Sequence, residues 1–254
     1  KHPESGEARI AVVGKYTNLV DSYKSIQEAL IHGGISNDVK VSVEWLSSED
    51  FDGENQVGLL KDFQGLLIPG GFGQRGIEGM LAAVRWSRVN EIPFFGICLG
   101  LQCAVIEFAR NVCNLKDSHS TEFLEDASDP VICLLDSQNQ VTKKGGTMRL
   151  GAYPCILGEG TTARDIYGTP EVSERHRHRF EVNNNYRDLL NDHGLTISGT
   201  SPDGALVEMV EITNHPWFVA GQFHPELKSR PTRPHPLFAS FIEAATSYGR
   251  GSSV

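Results

Sequence analysis

The residues best suited to do chemistry lie at FFGICLG, 94–100. An apolar run feeds directly into Cys98, and glycines stand two positions away on either side, at Gly96 and Gly100. That spacing is the nucleophile-elbow pattern with cysteine in place of serine. Small flanking residues permit a tight strand-to-helix turn that lifts the sulfur over a sheet at the mouth of the next helix. A helix N-terminus there stabilises a thiolate. A buried structural cysteine is the competing reading, and the glycine spacing argues against it. The second segment is QFHPE, 222–226, where Pro225 biases His224 away from helical geometry. In an extended run, positions i and i+2 share a side, so Glu226 is placed to orient the His224 imidazole. A surface His-Pro-Glu turn is the bland alternative. Together with Cys98 the segment supplies a nucleophile, a base and an orienter, the set used for nucleophilic acyl transfer.

A third segment, LIPGGFGQRG at 67–76, places a glycine pair directly after an apolar run. Free backbone N–H groups there form either a phosphate cradle or an oxyanion hole. The run lacks the Gly-Lys-Ser/Thr ending of a P-loop, and the Gly-Lys of VVGKY (12–16) is followed by tyrosine. With Cys98 as nucleophile, the oxyanion reading is favoured, its donors being the N–H groups of Gly71 and Leu99. Phe72, after the glycine pair, is either a wall of that site or loop packing. In RHRHRF (175–180), Arg175, Arg177 and Arg179 alternate with His176 and His178, so an extended backbone sends only one set toward any site.

These segments need elements to hold them. ARIAVVG (8–14) reads as a buried strand, 21–32 as a helix, 39–46 as a strand, 65–73 as strand then glycine turn, and 77–90 as a helix. Residues 92–110 read as a strand entering a helix. Shorter strands are expected at 130–135, 151–157, 179–183, 195–200 and 205–212. A strand and turn at 218–226 and a closing helix at 235–249 complete the chain. The alternation predicts an α/β fold of three α/β/α layers with a mostly parallel central sheet. No repeat or linker divides it, so one domain is expected over 9–250, with 1–8 a linker remnant and 251–254 a flexible tail. KHPESGEARI has neither an initiator methionine nor an apolar signal core, as expected of a piece of a longer chain.

The 254 residues suffice for a full core without staples. With 32 acidic against 23 basic side chains the net charge is -9, which argues against a nucleic-acid binder. No run approaches a membrane span, so no membrane partner is expected. The five cysteines (98, 103, 113, 133 and 155) are an odd set without C-x-x-C spacing. They fit a reduced, cytoplasmic setting better than a disulfide scaffold, and no metal site is expected.

VGKYTNLVDSYKSI (13–26), IPGGFGQRG (68–76), FFGICLGLQ (94–102), GGTMRLG (145–151), RHRHRFEVNN (175–184) and GQFHPE (221–226) span nearly the whole chain in order. In these segments the sequence resembles the class I glutamine amidotransferase family. RHRHRFEVNN and GGTMRLG narrow the resemblance to its CTP-synthase branch, away from the GMP synthase, carbamoyl phosphate synthetase and anthranilate synthase branches. The resemblance implies that Cys98 attacks the side-chain amide of L-glutamine, His224 manages the protons, Glu226 orients it, and Gly71 and Leu99 stabilise the oxyanion. It implies glutamine-binding roles for Gly71, Leu99, Gly100, Leu101, Gln102, Glu122 and Arg179. Glu122 suits the α-ammonium and Arg179 the α-carboxylate. Gln102 shares a helix face with Cys98.

The resemblance also implies that this domain carries no cofactor. ATP and Mg²⁺ would belong to an N-terminal synthetase domain of the same polypeptide, which uses the ammonia to convert UTP to CTP in pyrimidine biosynthesis. The full-length enzyme would be a homotetramer. One stretch departs from the family. Where it commonly carries a proline- and histidine-containing run, this chain has CLLDSQNQVTKKGGTMRLG (133–151), expected as a loop near a domain interface. Two other readings keep the same segments: a γ-glutamyl hydrolase or protease accepting larger peptides, and a degenerate fold serving as a binding module.

Overall fold

The computed structural model describes residues 3, 6–17, 20–51, 57–134 and 148–251. Residues 1, 2, 4 and 5 of the expected linker remnant, 252–254 of the expected tail, and 135–147, which include the first residues of GGTMRLG, lie outside the described residues. Glu7 and Ala8, expected in the linker, already belong to the first strand, because Ala8 is buried in the core.

The chain opens with β1 (Glu7–Gly14), α1 (Lys24–Asn37) and β2 (Lys40–Ser47), then β3 (Gly65–Ile68), α2 (Ile77–Val89), β4 (Phe94–Ile97) and α3 (Leu99–Asn111). Two short strands follow, β5 (Ser118–Ser120) and β6 (Asp129–Cys133), then β7 (Arg149–Leu157), α4 (Thr162–Tyr167), β8 (Glu171–His178) and β9 (Glu181–Val182). The remainder is α5 (Arg187–Asp192), β10 (Leu195–Thr200), β11 (Val207–Ile212), β12 (Phe218–Gly221) and α6 (Pro236–Gly251).

A nine-stranded sheet runs in the order β2-β1-β3-β4-β12-β11-β10-β7-β8. The five strands from β2 to β12 pair in parallel, as expected. From β12 outward every pairing is antiparallel, so the sheet is mixed and the parallel expectation holds for its first half. The cause is connectivity: β10, β11 and β12 are joined by short turns, and only antiparallel strands can be linked that way. A three-stranded sheet of β5, β6 and β9 lies apart from it.

The inner parallel strands β3, β4 and β12 are apolar and buried at every position because both of their faces are covered, whereas the edge strand β2 keeps Lys40 and Glu44 exposed. Alternate residues serve opposite sides. Ala11, Val13, Leu66, Ile68 and Phe94 pack with Met80, Val84, Leu101 and Val105 of α2 and α3. Ile10, Val12, Leu67, Phe95 and Ile97 pack with Ile26, Leu30, Phe238, Phe241 and Ile242 of α1 and α6. These are the three layers expected of the sequence. Among the described residues, no helix is long and apolar enough to cross a membrane.

Two elements differ from their sequence reading for physical reasons. Helix α1 runs five residues past 32 because Gly33 is a packing position: a Cβ there would meet the backbone oxygen of Phe238 at 2.6 Å. Strand β8 went unread because its buried face carries Glu174, His176 and His178, so no apolar alternation announces it. Of the run expected at 179–183, only Glu181–Val182 forms a strand.

The parallel order decides where a site can form. Lys15, the glycine run, Cys98 and the 222–226 segment each follow the carboxyl end of β1, β3, β4 or β12, which are neighbours in the sheet. Crevices at those ends are where open α/β sheets bind ligands.

Candidate active site

β4 ends at Ile97 and α3 begins at Leu99, leaving Cys98 alone to make the turn. Its backbone sits at φ 54° and ψ -100°, a left-handed conformation that costs a non-glycine residue about 1–3 kcal/mol. The turn holds because β4 is paired on both sides and the Cys98 N–H donates to the Gly221 carbonyl at 2.8 Å. The flanking glycines are required by close approach. A Cβ on Gly96 would lie 2.8 Å from the Gly100 carbonyl, and one on Gly100 would lie 2.2 Å from the Ile68 oxygen. Cys98 therefore stands, 2% exposed, at the first turn of α3, whose leading N–H groups have no acceptor inside the helix.

The 222–226 segment reaches the sulfur from β12. His224 and Glu226 come together as expected, but through a different backbone: Pro225 opens a single 3₁₀ turn, Pro225–Leu227, rather than continuing an extended run. The imidazole Nδ1 lies 2.8 Å from Glu226 Oε1, and the His224 N–H donates to the Arg175 carbonyl of β8 at 2.7 Å. Nε2 is buried without a hydrogen-bond partner, leaving it for chemistry. Gly70 brings the glycine run against both groups, since a Cβ there would lie 2.8 Å from His224 Cε1 and 3.6 Å from Cys98 Cβ. Burial opposes charge on His224, but the Cys98 sulfur and the Glu226 carboxylate outweigh it and push its pKa up to about 10.

Two cavities meet at Cys98. One, of about 310 Å³, is lined by Gly71, Phe72, Cys98, Gln102, Glu122 and Arg179, with Met148, Arg177, His178 and Phe180. It has a charged group of each sign. Arg179 keeps Nε buried and unpartnered. The Glu122 carboxyl is raised by burial, against the Gly73 N–H, Lys15 and Arg179, which favour its charged form. The other, of about 340 Å³, is lined by Tyr16, Ser22, Tyr23, Gly70, His224 and Glu226 among others. Phe72 and Arg177 border both.

Gly71, Cys98, Gln102, Glu122 and Arg179 thus share one cavity, as the sequence reading requires. Leu99 and Gly100 do not line the cavity; both are buried in the first turn of α3 directly after Cys98, and a Cβ on Gly71 would lie 3.1 Å from Leu99 Cδ2. Leu101 is not brought to the cavity. Its side chain is fully buried in the core, and its N–H donates to the Cys98 carbonyl at 3.1 Å. Gln222 was missed. Its amide reaches Cys98 Sγ at 3.7 Å and accepts from Gln102 Nε2 at 3.4 Å. It precedes His224 by two residues, so the alternation used for Glu226 also pointed to it. Arg175 lies on the exposed face of β8. Cys98, Cys103, Cys113 and Cys155 are free thiols, and among the described residues no group of three His, Cys, Asp or Glu side chains is placed to hold a metal.

Chemically, a nucleophile beside an imidazole–carboxylate pair opens onto a cavity bearing the Glu122 carboxyl and the guanidinium groups of Arg177 and Arg179. That arrangement suits acyl transfer on an α-amino acid.

Residues 18–244 match the glutamine amidotransferase class-I family model. The chain is 58% identical over 244 residues to a CTP synthase of Geotalea uraniireducens, covering 96% of this chain and 46% of that protein. It is also 58% identical over 250 residues to a CTP synthase of Chlorobium phaeovibrioides, covering 98% of this chain and 42% of that one. The chain thus spans about half the length of the curated relatives it matches. The glutaminase domain of Trypanosoma brucei CTPS, solved with bound acivicin, superposes with a TM-score of 0.89 at 37% identity, covering 94% of each chain.

Proposed function

The chain belongs to the class I glutamine amidotransferase family and, within it, to the glutaminase domains of CTP synthase, and from that premise we propose that it hydrolyses L-glutamine through a thioester on Cys98. The observation that carries the proposal is the meeting of Cys98, His224 and Glu226 at the edge of the cavity bearing Glu122 and Arg179. In this reading Arg179 takes the substrate α-carboxylate and Glu122 the α-ammonium, which leaves the side-chain amide at the sulfur.

The sulfur attacks the amide carbon, and the Gly71 and Leu99 N–H groups receive the negative oxygen of the tetrahedral intermediate. His224, held charged by its neighbours, delivers the proton that lets ammonia leave. The resulting γ-glutamyl thioester is attacked by water, whose proton returns to His224, and glutamate departs. Glutamine and water become glutamate and ammonia, with the enzyme restored. Gln222 keeps the sulfur oriented.

We further assign the ammonia to a synthetase domain of the same polypeptide that aminates UTP to CTP with ATP and Mg²⁺, in a homotetrameric enzyme. What supports this is the identity to CTP synthases about twice as long. The test is release of glutamate from glutamine, with γ-glutamyl peptides as the competing substrate. We expect free glutamine to be preferred and Cys98→Ala to be inactive. Preference for γ-glutamyl peptides, or turnover by Cys98→Ala, overturns the proposal.

A further inference from the structure

Lys15 directly follows β1 in the VGKY segment, where the tyrosine after it excludes a phosphate loop. It is 4% exposed, which for a lysine demands a reason. Its Nζ donates to the Phe72 carbonyl at 3.2 Å and also to the Gly73 carbonyl, and it lies 5.4 Å from the centre of the Phe123 ring. An ammonium has three donors and no acceptor, and here the glycine run turns two carbonyls onto it. Its own backbone is fixed as well. The Lys15 N–H donates to the Tyr23 hydroxyl at 3.3 Å, and the Lys15 carbonyl accepts from Arg75 Nη2 at 2.9 Å.

The Phe72 carbonyl and the Gly73 N–H belong to one trans peptide plane, so they point in opposite directions. On the far side of that plane the Gly73 N–H donates to Glu122 Oε1 at 2.8 Å. A single peptide unit therefore joins the Lys15 ammonium to the Glu122 carboxylate. Glycine at 73, with φ 77°, leaves this stretch of loop otherwise free to rotate. A Cβ on Gly71 would lie 3.8 Å from Lys15 Cδ, so the lysine stem runs beneath the very residue proposed as an oxyanion donor.

We propose that Lys15 is a positioning residue of the glutamine site: it fixes the 72–73 peptide plane, and through it the Glu122 carboxylate that receives the substrate ammonium. The inference rests on the glutaminase reading for its functional consequence, but not for the clamp itself. Two measurements on Lys15→Met separate these. Hydrogen exchange of the peptide covering 70–76 reads the clamp, and steady-state glutaminase kinetics read its consequence. We expect exchange in that segment to rise at least tenfold. KM for glutamine should rise at least tenfold with a smaller change in kcat, while alkylation of Cys98 by iodoacetamide stays within twofold.

Unchanged exchange overturns the clamp. Raised exchange with KM within threefold of wild type overturns its role in the site. A wild-type chain that does not hydrolyse glutamine overturns the glutaminase reading and leaves the exchange result to decide the clamp. Should Lys15→Met not fold, Lys15→Gln, which keeps a donor without the charge or the reach, is read by the same criteria.

Discussion

Burial alone would strip the proton from His224; the Cys98 sulfur and the Glu226 carboxylate hold it on, to a pKa of about 10. The imidazole is therefore charged at neutral pH and available as an acid to departing ammonia. Glu226→Gln removes one of the two groups that hold this proton. The pKa of His224 then falls, and the alkaline limb of the kcat profile moves to lower pH. At the optimum, kcat should drop about 10²-fold or more, the scale of general acid–base catalysis, with KM little changed. A pH profile of the two proteins checks this, and an unmoved alkaline limb would remove Glu226 from the role. At this scale the sequence was informative but incomplete. The nucleophile and its partners could be named from types and spacing. Gln222 lay within reach of the same alternation, two residues before His224, and was passed over; Lys15 could not be named, because an ammonium announces no partner that only folding supplies.

At the scale of elements, the site depends on how closely α3 approaches β3. A methyl group on Gly100 has no space, because the atom it would meet at 2.2 Å is the backbone oxygen of Ile68. Gly100→Ala must therefore push the first turn of α3 outward, carrying Cys98 with it. Overpacking of this kind costs about 1–3 kcal/mol. A displacement of about 1 Å at a reacting atom costs about 10²-fold in rate. Denaturant unfolding together with kcat/KM checks both, and a fully active, equally stable variant would refute the elbow argument. Apolar strands and helices were readable where one face or both were hydrophobic, as in β1, β4, α3 and α6. The reading failed at β8, whose buried face is ionisable, and at the 3₁₀ turn of Pro225–Leu227, which brings His224 and Glu226 together by a route that an extended strand does not use. The strand order was beyond reach, since it is set by pairing between residues far apart in the chain.

At the scale of the whole molecule, the antiparallel half of the sheet carries a buried polar set behind the site. Arg149 joins Glu181 at 3.1 Å and Glu208 at 2.7 Å, with both carboxylates 1% exposed or less. His178 contacts Glu181 at 2.8 Å. His176 lies among them with neither ring nitrogen hydrogen-bonded, and burial first, then Arg149 and the neighbouring histidines, push its pKa down to about 2. Its folded value lies below its unfolded value of about 6.5. The unfolded chain therefore binds the proton first, and the stability held above pH about 6.5 is lost progressively as pH falls toward 2. His224 works in the opposite sense: its contribution is full below pH about 6.5 and is lost as pH rises through about 10. Thermal unfolding of wild type and His176→Phe across pH 4 to 7 should show a shallower acid slope in the variant, and equal slopes would exclude His176 as a source.

The central claim is that Cys98 is the nucleophile that takes the glutamine side chain, and it is tested most directly by a glutamine-mimicking diazo-ketone with peptide mapping by mass spectrometry. The account predicts one adduct per chain on Cys98, slowed by glutamine and absent from Cys98→Ala. Labelling at another cysteine, or undiminished labelling of Cys98→Ala, would contradict it.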